Sequence, residues 1–496
     1  MKVVVQTMLV LLFVLITGSS AKAQPSVAID SAKQALQRII EQLPDSAAFT
    51  IRTITVKGNR ITKAYILFRE IPFKKGSRVE KSELAFLLEQ ARQNMFNTQL
   101  FLEVIPGISS WENQSLDIVF TVRERWYLFP LPHFKLIDRN FNQWWVEQKH
   151  DLRRTTYGVK LNWENVSGRR DKLSFNYFNG YAKQVSLYYE QPYADKKLEK
   201  GFLFGVRYAE SRQLSFATDE NKQVFYPESV RIESGFVRSS FRAEAGFSLR
   251  KGAFHRHAVR LSYSYETVPD TLYQIADANQ SKGFVPFFTG RATRVKFGEL
   301  SYSYQFLKLD NLAYPLEGIG LSLGFLKRGL GNSVLNLWQL NVKMGNYVRF
   351  NPKTSLSVLH HAVLKLPFRQ PMYNLSLMGY GEMYLRGLEY YIIDGVAAGM
   401  LKTTLRRELF QLVLPTYIIK NEKYRKIPFK FVVKVFGDLG GAHASHLSNS
   451  VLNNRLLYSY GVGIDVLSYY DFIARFEYSI NQLGGKGLFL HMSKDF

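Results

Sequence analysis

The chain has 496 residues, with 65 Lys+Arg against 41 Asp+Glu and a formal net charge of +24. It contains no cysteine, which excludes a disulfide scaffold, a thiolate metal site and a cysteine nucleophile. Aromatic residues make up 15% of it, and beyond the N-terminal segment no apolar run is long enough for a spanning helix, so a large β-protein is expected.

Residues 1–23 read as a secretory signal: Lys2 is the positive start, Val3 to Thr17 is mostly apolar, and Ala21-Lys22-Ala23 fits the small-x-small cleavage pattern. On an exported protein, the excess of positive charge points to anionic lipid head groups or acidic polysaccharide rather than nucleic acid. Residues 24–48 form a linker or short helix, with Ile29 to Leu43 the helical candidate. A compact α+β domain is expected over residues 49–125. Ile51, Ile54 and Val56 mark its first strand, and Gly58-Asn59 ends that strand. Thr62 starts a helix carrying Tyr65, Ile66 and Phe68, which Pro72 and Gly76 break. Ser82 to Asn94 is a second helix, with Leu84, Leu87 and Leu88 on one face. Glu103–Ile105 and Leu116–Val122 are strands, giving the order β-α-α-β-β.

These residues carry a resemblance. Ile54, Val56, Gly58, Asn59, Gly76, Leu100, Phe101, Val104 and Glu124, at their spacing, resemble a POTRA domain. The resemblance implies a periplasmic domain that receives unfolded client chains by pairing them with an exposed sheet edge.

Residues 126–496 alternate in the manner of a membrane barrel. Leu173, Phe175 and Tyr177 alternate with Ser174 and Asn176; Val259, Leu261, Tyr263 and Tyr265 alternate with Arg260, Ser262, Ser264 and Glu266. Leu300, Tyr302, Tyr304 and Phe306 do the same around Ser301, Ser303 and Gln305. A period of two puts one set on a lipid face and the other on a wet face, and only a closed sheet satisfies its backbone in hydrocarbon. The pattern allows roughly 14 to 18 strands. The first is expected near Thr156 to Trp163, followed by a turn at Asn165, Gly168 and Arg169. Leu488, Leu490 and Met492 alternate ahead of Phe496, which resembles the C-terminal assembly signal of outer-membrane barrels.

Four further motifs follow in order. Asp310, Asn311, Pro315 and Gly318 come first; then Gly379, Gly381, Leu385, Arg386 and Gly387; then Phe436, Asp438, Gly440 and Gly441; then Gly461 and Gly463. Behind a POTRA-like domain, this set resembles the BamA/TamA family of outer-membrane assembly proteins and the related two-partner secretion transporters. The resemblance implies about sixteen strands, a location in the cell outer membrane, and insertion or translocation of client polypeptides without a cofactor. It also implies that Arg386 sits on a loop folded into the lumen and is held against Asp438 on the wall. A weak seam between first and last strands is expected, loosened by Gly463 and Gly487. Other envelope assembly proteins are possible partners. A passive pore and a barrel hydrolase are the alternatives. The hydrolase would need Ser322 of Gly320–Gly324, or the paired residues His255/His257, His360/His361 and His443/His446, to carry chemistry, and no accompanying acid pattern or strand-to-helix elbow is present in the sequence.

Overall fold

The computed structural model describes residues 27–44, 48–136, 155–227, 235–278, 284–331, 334–415, 426–444 and 450–492. The signal segment 1–23 and Phe496 lie outside them.

The N-terminal domain is a four-stranded sheet covered by helices. Helix α1 (Val27–Gln42) leads into β1 (Ala48–Lys57), α2 (Ala64–Phe68), β2 (Arg78–Glu80), α3 (Lys81–Phe96), β3 (Phe101–Glu112) and β4 (Ser115–Glu124). The sheet order is β2-β1-β4-β3, with β1 and β4 parallel. The order thus differs from the expected β-α-α-β-β by the strand β2. It is three residues long, too short for a period-two pattern, and it forms by pairing with Ala48–Thr50 rather than from its own sequence. Inward residues of every element meet in one core: Ile51, Ile66, Leu88, Phe101, Ile118 and Phe120 are fully buried. Each such side chain contributes about 1.5–3 kcal/mol of transfer free energy.

The second sheet has sixteen antiparallel strands in sequence order. It begins with β5 (Leu128–Leu136), β6 (Thr155–Glu164), β7 (Lys172–Gly180), β8 (Ala182–Gln191) and β9 (Lys200–Ser211). A side hairpin, β10 (Ser215–Asp219) with β11 (Lys222–Phe225), interrupts it. It continues through β12 (Arg238–Lys251), β13 (His255–Thr267), β14 (Arg294–Leu309), β15 (Gly318–Leu330), β16 (Leu337–Asn351) and β17 (Thr354–Leu366). Helix α4 (Thr271–Ala278) lies between β13 and β14. After β17 come α5 (Met372–Leu375) and the small pair β18 (Ser376–Met378) and β19 (Ile393–Asp394). The sheet ends with β20 (Ala397–Pro415), β21 (Lys426–His443), β22 (Leu457–Ser468), β23 (Phe472–Asn481) and β24 (Lys486–His491).

Along β22 the faces separate cleanly: Ser459, Gly463 and Asp465 are buried inward, while Tyr458, Tyr460, Val462 and Ile464 are exposed outward. Outward rows of Val159, Phe204, Leu261, Tyr302 and Leu340 continue the apolar belt. An apolar outer face around a polar interior is the surface of a membrane barrel. The first strand is β5, one strand earlier than expected, and Thr156–Trp163 belongs to β6. Pro130 and Pro132 hid β5, because proline argues against a strand unless that strand is an edge. β5 and β24 stand at the two ends of the sheet order, and among the described residues no ladder joins them.

The two mouths differ. At the end facing the N-terminal domain some connections are tight, as at residues 252–254 and 469–471. At the far end, described residues of the connections that follow β9, β13, β15 and β17 share a core of their own, with Phe216, Leu272, Phe288, Leu335, Met372 and Val396 buried together.

Candidate functional site

The excursion between β17 and β20 turns inward. β18 and β19 pair at its base, and the Gly379 N–H donates to Met383 O at 2.7 Å. Gly379, Gly381 and Gly387 hold φ of +86°, +93° and +88°, the left-handed region that suits glycine. At the tip, Leu385 and Leu388 bury against Met400 and Leu457 of the wall. The loop therefore fills part of the lumen.

The structure places Arg386 against Asp438 of β21. Its Nε donates to Asp438 Oδ2 at 2.9 Å, a second guanidinium nitrogen contacts Oδ1, and the Arg386 backbone N–H donates to Oδ2 at 3.0 Å. Nη1 donates to Thr404 Oγ1 of β20 at 3.0 Å and lies 3.6 Å from Glu477 of β23. The guanidinium also stacks over Phe436, 3.9 Å from the ring centroid. Arginine suits the position because its planar fork meets both carboxylate oxygens while its face packs on an aromatic ring. Gly461 makes room for that ring: a Cβ there would lie 2.6 Å from it and 2.2 Å from Tyr478 O. Gly440 faces Leu385 in the same way, with a would-be Cβ contact at 3.2 Å.

A second charged node lies one layer away. Lys434 Nζ sits 2.5 Å from Asp465 and 2.6 Å from Glu477, and Tyr314 donates to Asp465 at 2.7 Å. Gly463 is opposite Lys434 and Glu477, and a Cβ there would come within 2.9 Å of Lys434 Cε. Gly463 thus makes space for a buried lysine two strands from the end of the sheet, not at the seam as expected. Gly487 does lie on the terminal strand β24.

The loop reaches that strand as well. Asn481 of β23 donates to Gly387 O at 2.6 Å. His491 of β24 lies 2.7 Å from Glu477 and 3.5 Å from loop residue Glu389, and it stacks on Tyr384 with centroids 5.0 Å apart. Tyr390 packs on Phe489 at 5.4 Å. One loop thus bridges β20, β21, β23 and β24. Lys434, Glu477, His491 and Tyr384 escaped the sequence reading. The signal of the first three was the inward parity of titratable residues on successive strands, which becomes visible once the register is known.

The N-terminal domain is locked onto the near mouth. Glu70, fully buried, takes a bidentate contact from Arg250 of β12 at 2.7 and 2.8 Å. Burial alone would raise the Glu70 carboxyl, but the charge of Arg250 and its hydrogen bonds outweigh this, with help from Arg69, and hold it below the ordinary glutamate range. Arg69 Nε donates to Leu198 O at 2.7 Å. Asn97, just beyond α3, donates to Leu309 O at 2.8 Å and accepts from Leu312 N at 3.1 Å. That second contact falls in the Asp310–Gly318 motif, where Asp310 Oδ1 accepts the N–H groups of Asn311 and Leu316 at 2.9 and 3.0 Å. Arg125 forks onto Asp471 at 2.8 and 3.1 Å. Between domain and mouth lies a cavity of about 1120 Å³, lined by Ile40 and Arg92 on one side and Tyr314, Arg349, Phe410 and Lys430 on the other.

Gly58, Asn59, Gly76 and Phe101 are structural parts of the N-terminal domain. Gly58 holds φ +97° under Val122 O, Asn59 caps its turn by donating to Thr62 O at 3.0 Å, Gly76 ends the turn before β2, and Phe101 is core. Ser322 lies mid-strand in β15, paired with Gln305 and Lys343, not on a nucleophile elbow. His255 and His257 meet Tyr304 and Tyr302, each at 2.9 Å; His361 meets Asn341 at 3.1 Å; His443 meets Asn454 at 2.7 Å; His446 lies outside the described residues.

Residues 49–125 match the POTRA family, described as surface antigen variable number repeat. No curated protein matches the chain at a significant level. Among solved structures, BamA from Haemophilus ducreyi lacking POTRA domains 1–3 is similar at 15% identity and TM-score 0.44, over 89% of this chain and 83% of that one. CdiB from Acinetobacter baumannii is similar at 12% identity and TM-score 0.43, over 88% and 71%. CdiB from Escherichia coli gives 11% identity and TM-score 0.43, over 96% and 98%. At these scores the likeness adds nothing to the fold read from the strands themselves. The domain locked onto the barrel mouth, residues 49–125, is a POTRA domain.

Proposed function

We propose that this protein inserts or translocates polypeptides at the bacterial outer membrane, with its POTRA domain in the periplasm receiving client strands. One observation carries the reading: a POTRA domain is docked on one mouth of a membrane-type sheet whose first and last strands share no ladder among the described residues. Unpaired strand edges beside lipid are templates for an incoming strand. Client folding and membrane burial supply the driving force, so no nucleotide or cofactor is required. Arg386 and Asp438 act mechanically in this reading: they hold the loop inside the lumen and keep the wall strands in register. Their loss impairs assembly or gating rather than abolishing a chemical step. The BamA/TamA role and the two-partner secretion role are its two finer forms, separated by whether the client stays in the membrane or leaves the cell. Depleting the protein and profiling outer-membrane and secreted proteins tests the reading. A selective fall in some of these proteins is expected, and unchanged profiles would sink it.

A further inference from the structure

The backbone directions at the seam can be read from two hydrogen bonds. The Glu164 N–H donates to Tyr127 O at 2.8 Å, extending the β5–β6 ladder in which Leu128 faces Trp163. Tyr127 and Glu164 are thus a hydrogen-bonded pair, and the odd residues of β5 direct their N–H and C=O groups to β6. The even residues point the other way, to the seam. Trp126 agrees, its N–H aimed at Tyr470 Oη at 3.4 Å. Two of these seam-facing residues are Pro130 and Pro132, which have no N–H to give. The middle of β5 therefore offers acceptors and no donors.

The other edge differs. The Asn481 N–H donates to Gly485 O at 3.0 Å, so the odd residues of β24 pair with β23. Lys486, Leu488 and Leu490 face the seam with both N–H and C=O intact. Their side chains lie on the lipid side, with Leu488 55% and Leu490 47% exposed. On the lumen side, Phe489 and His491 are gripped by Tyr390, Glu389 and Tyr384 of the inward loop. The edge of β24 is thus complete and held from behind.

We infer that β24, not β5, is the edge that accepts an incoming strand, and that Pro130 and Pro132 keep β5 from closing the seam or competing for the client. The inference rests on the strand-handling function proposed above and adds which edge does the work. The occupant is an extended membrane strand of a client polypeptide. It continues the β23–β24 ladder, and it must place apolar residues beside Leu488 and Leu490 while giving an N–H at every second position. β5 of a second copy carries the same two prolines and cannot supply that ladder.

The absence of cysteine allows a direct test on the full chain in liposomes. Single variants Leu490→Cys and Phe134→Cys, with Leu488→Cys as a second position on β24, are oxidised with a synthetic peptide about nine residues long. The peptide alternates Leu or Tyr with Ser or Thr and carries one central cysteine. The β24 variants are expected to give about tenfold more peptide adduct than Phe134→Cys, a ratio that two missing hydrogen bonds readily produce. Adding Pro130→Ala and Pro132→Ala should raise the Phe134→Cys adduct. Equal or greater adduct at Phe134→Cys in the proline-bearing chain overturns the inference. So does a Leu490→Cys homodimer in place of the peptide adduct, or no adduct at any position in protein that keeps its folded electrophoretic mobility. Depletion separates the two levels: unchanged protein profiles with peptide on β24 defeat the function and leave the edge preference standing, whereas altered profiles with peptide on β5 defeat this inference alone.

Discussion

Arg386 ties the inward loop to the wall strands β20 and β21. Its guanidinium and the Asp438 carboxylate are both buried, so removing either takes from the other its nearest counter-charge. Arg386→Ala and Asp438→Ala are each expected to cost about 3–5 kcal/mol, and the double change less than their sum. Chemical unfolding in detergent, followed by tryptophan fluorescence, measures this. Arg386→Lys is not expected to rescue, since an ammonium cannot fork onto Asp438 while stacking on Phe436. Gly461→Ala tests the floor beneath the ring. The new methyl would press on Phe436 and on Tyr478 O, at an expected cost of about 1–3 kcal/mol in the same assay. Gly379, Gly381 and Gly387 were legible as loop glycines from sequence, whereas the spacer role of Gly461 and Gly463 was not. A glycine that makes room for a neighbour's side chain shows nothing until that neighbour is placed across the ladder.

At the scale of elements, the contact between the POTRA domain and the β12–β13 connection turns on Glu70. Its folded carboxyl is held below the ordinary range by Arg250, so the stability it contributes is present above the unfolded value of about 4.3. That contribution is lost as pH falls through the lower folded value. Docking should therefore hold from neutral pH down to the ordinary glutamate range and loosen below it. Glu70→Gln should loosen it at neutral pH and flatten this pH dependence. Hydrogen exchange of residues 165–171 and 198–199, which lie in turns near the mouth, reads the effect. The inward loop belongs to this scale too. With the far-end excursions packed into one core and the loop in the lumen, the intact protein is expected to conduct little in planar bilayers. Removing residues 376–394 should raise the conductance sharply. A large steady conductance from the intact chain would favour the passive-pore reading instead.

For the whole molecule, the outward belt decides the solvent. Exposed Phe204, Leu261, Tyr302, Leu340 and Val462 form one face around the sheet. The protein should therefore need detergent or lipid to stay monodisperse, and light scattering after detergent removal should report aggregation. The POTRA domain, with its own buried core around Phe101 and Phe120, is expected to fold when expressed alone as residues 49–125 and to melt cooperatively by circular dichroism. Its core also receives Tyr193 from the barrel turns, so a modest loss of stability in isolation is expected.

The sequence by itself determined the class of this protein. Alternation along single strands and the helix periodicity of the N-terminal domain are local patterns, and each is written within a few residues of itself. It determined Arg386 and Asp438 as members of a recognisable ordered set of motifs. The tertiary structure alone decided the rest. β2 exists by pairing with β1, and β5 is a strand because β6 holds it despite its prolines. The Glu70–Arg250 lock joins residues 180 apart in the chain, and Lys434, Asp465, Glu477 and His491 meet only through the register of four strands. A side chain's type is a property of one position, but which charge it faces depends on how far each neighbouring strand has slid, and that is set by the assembled sheet.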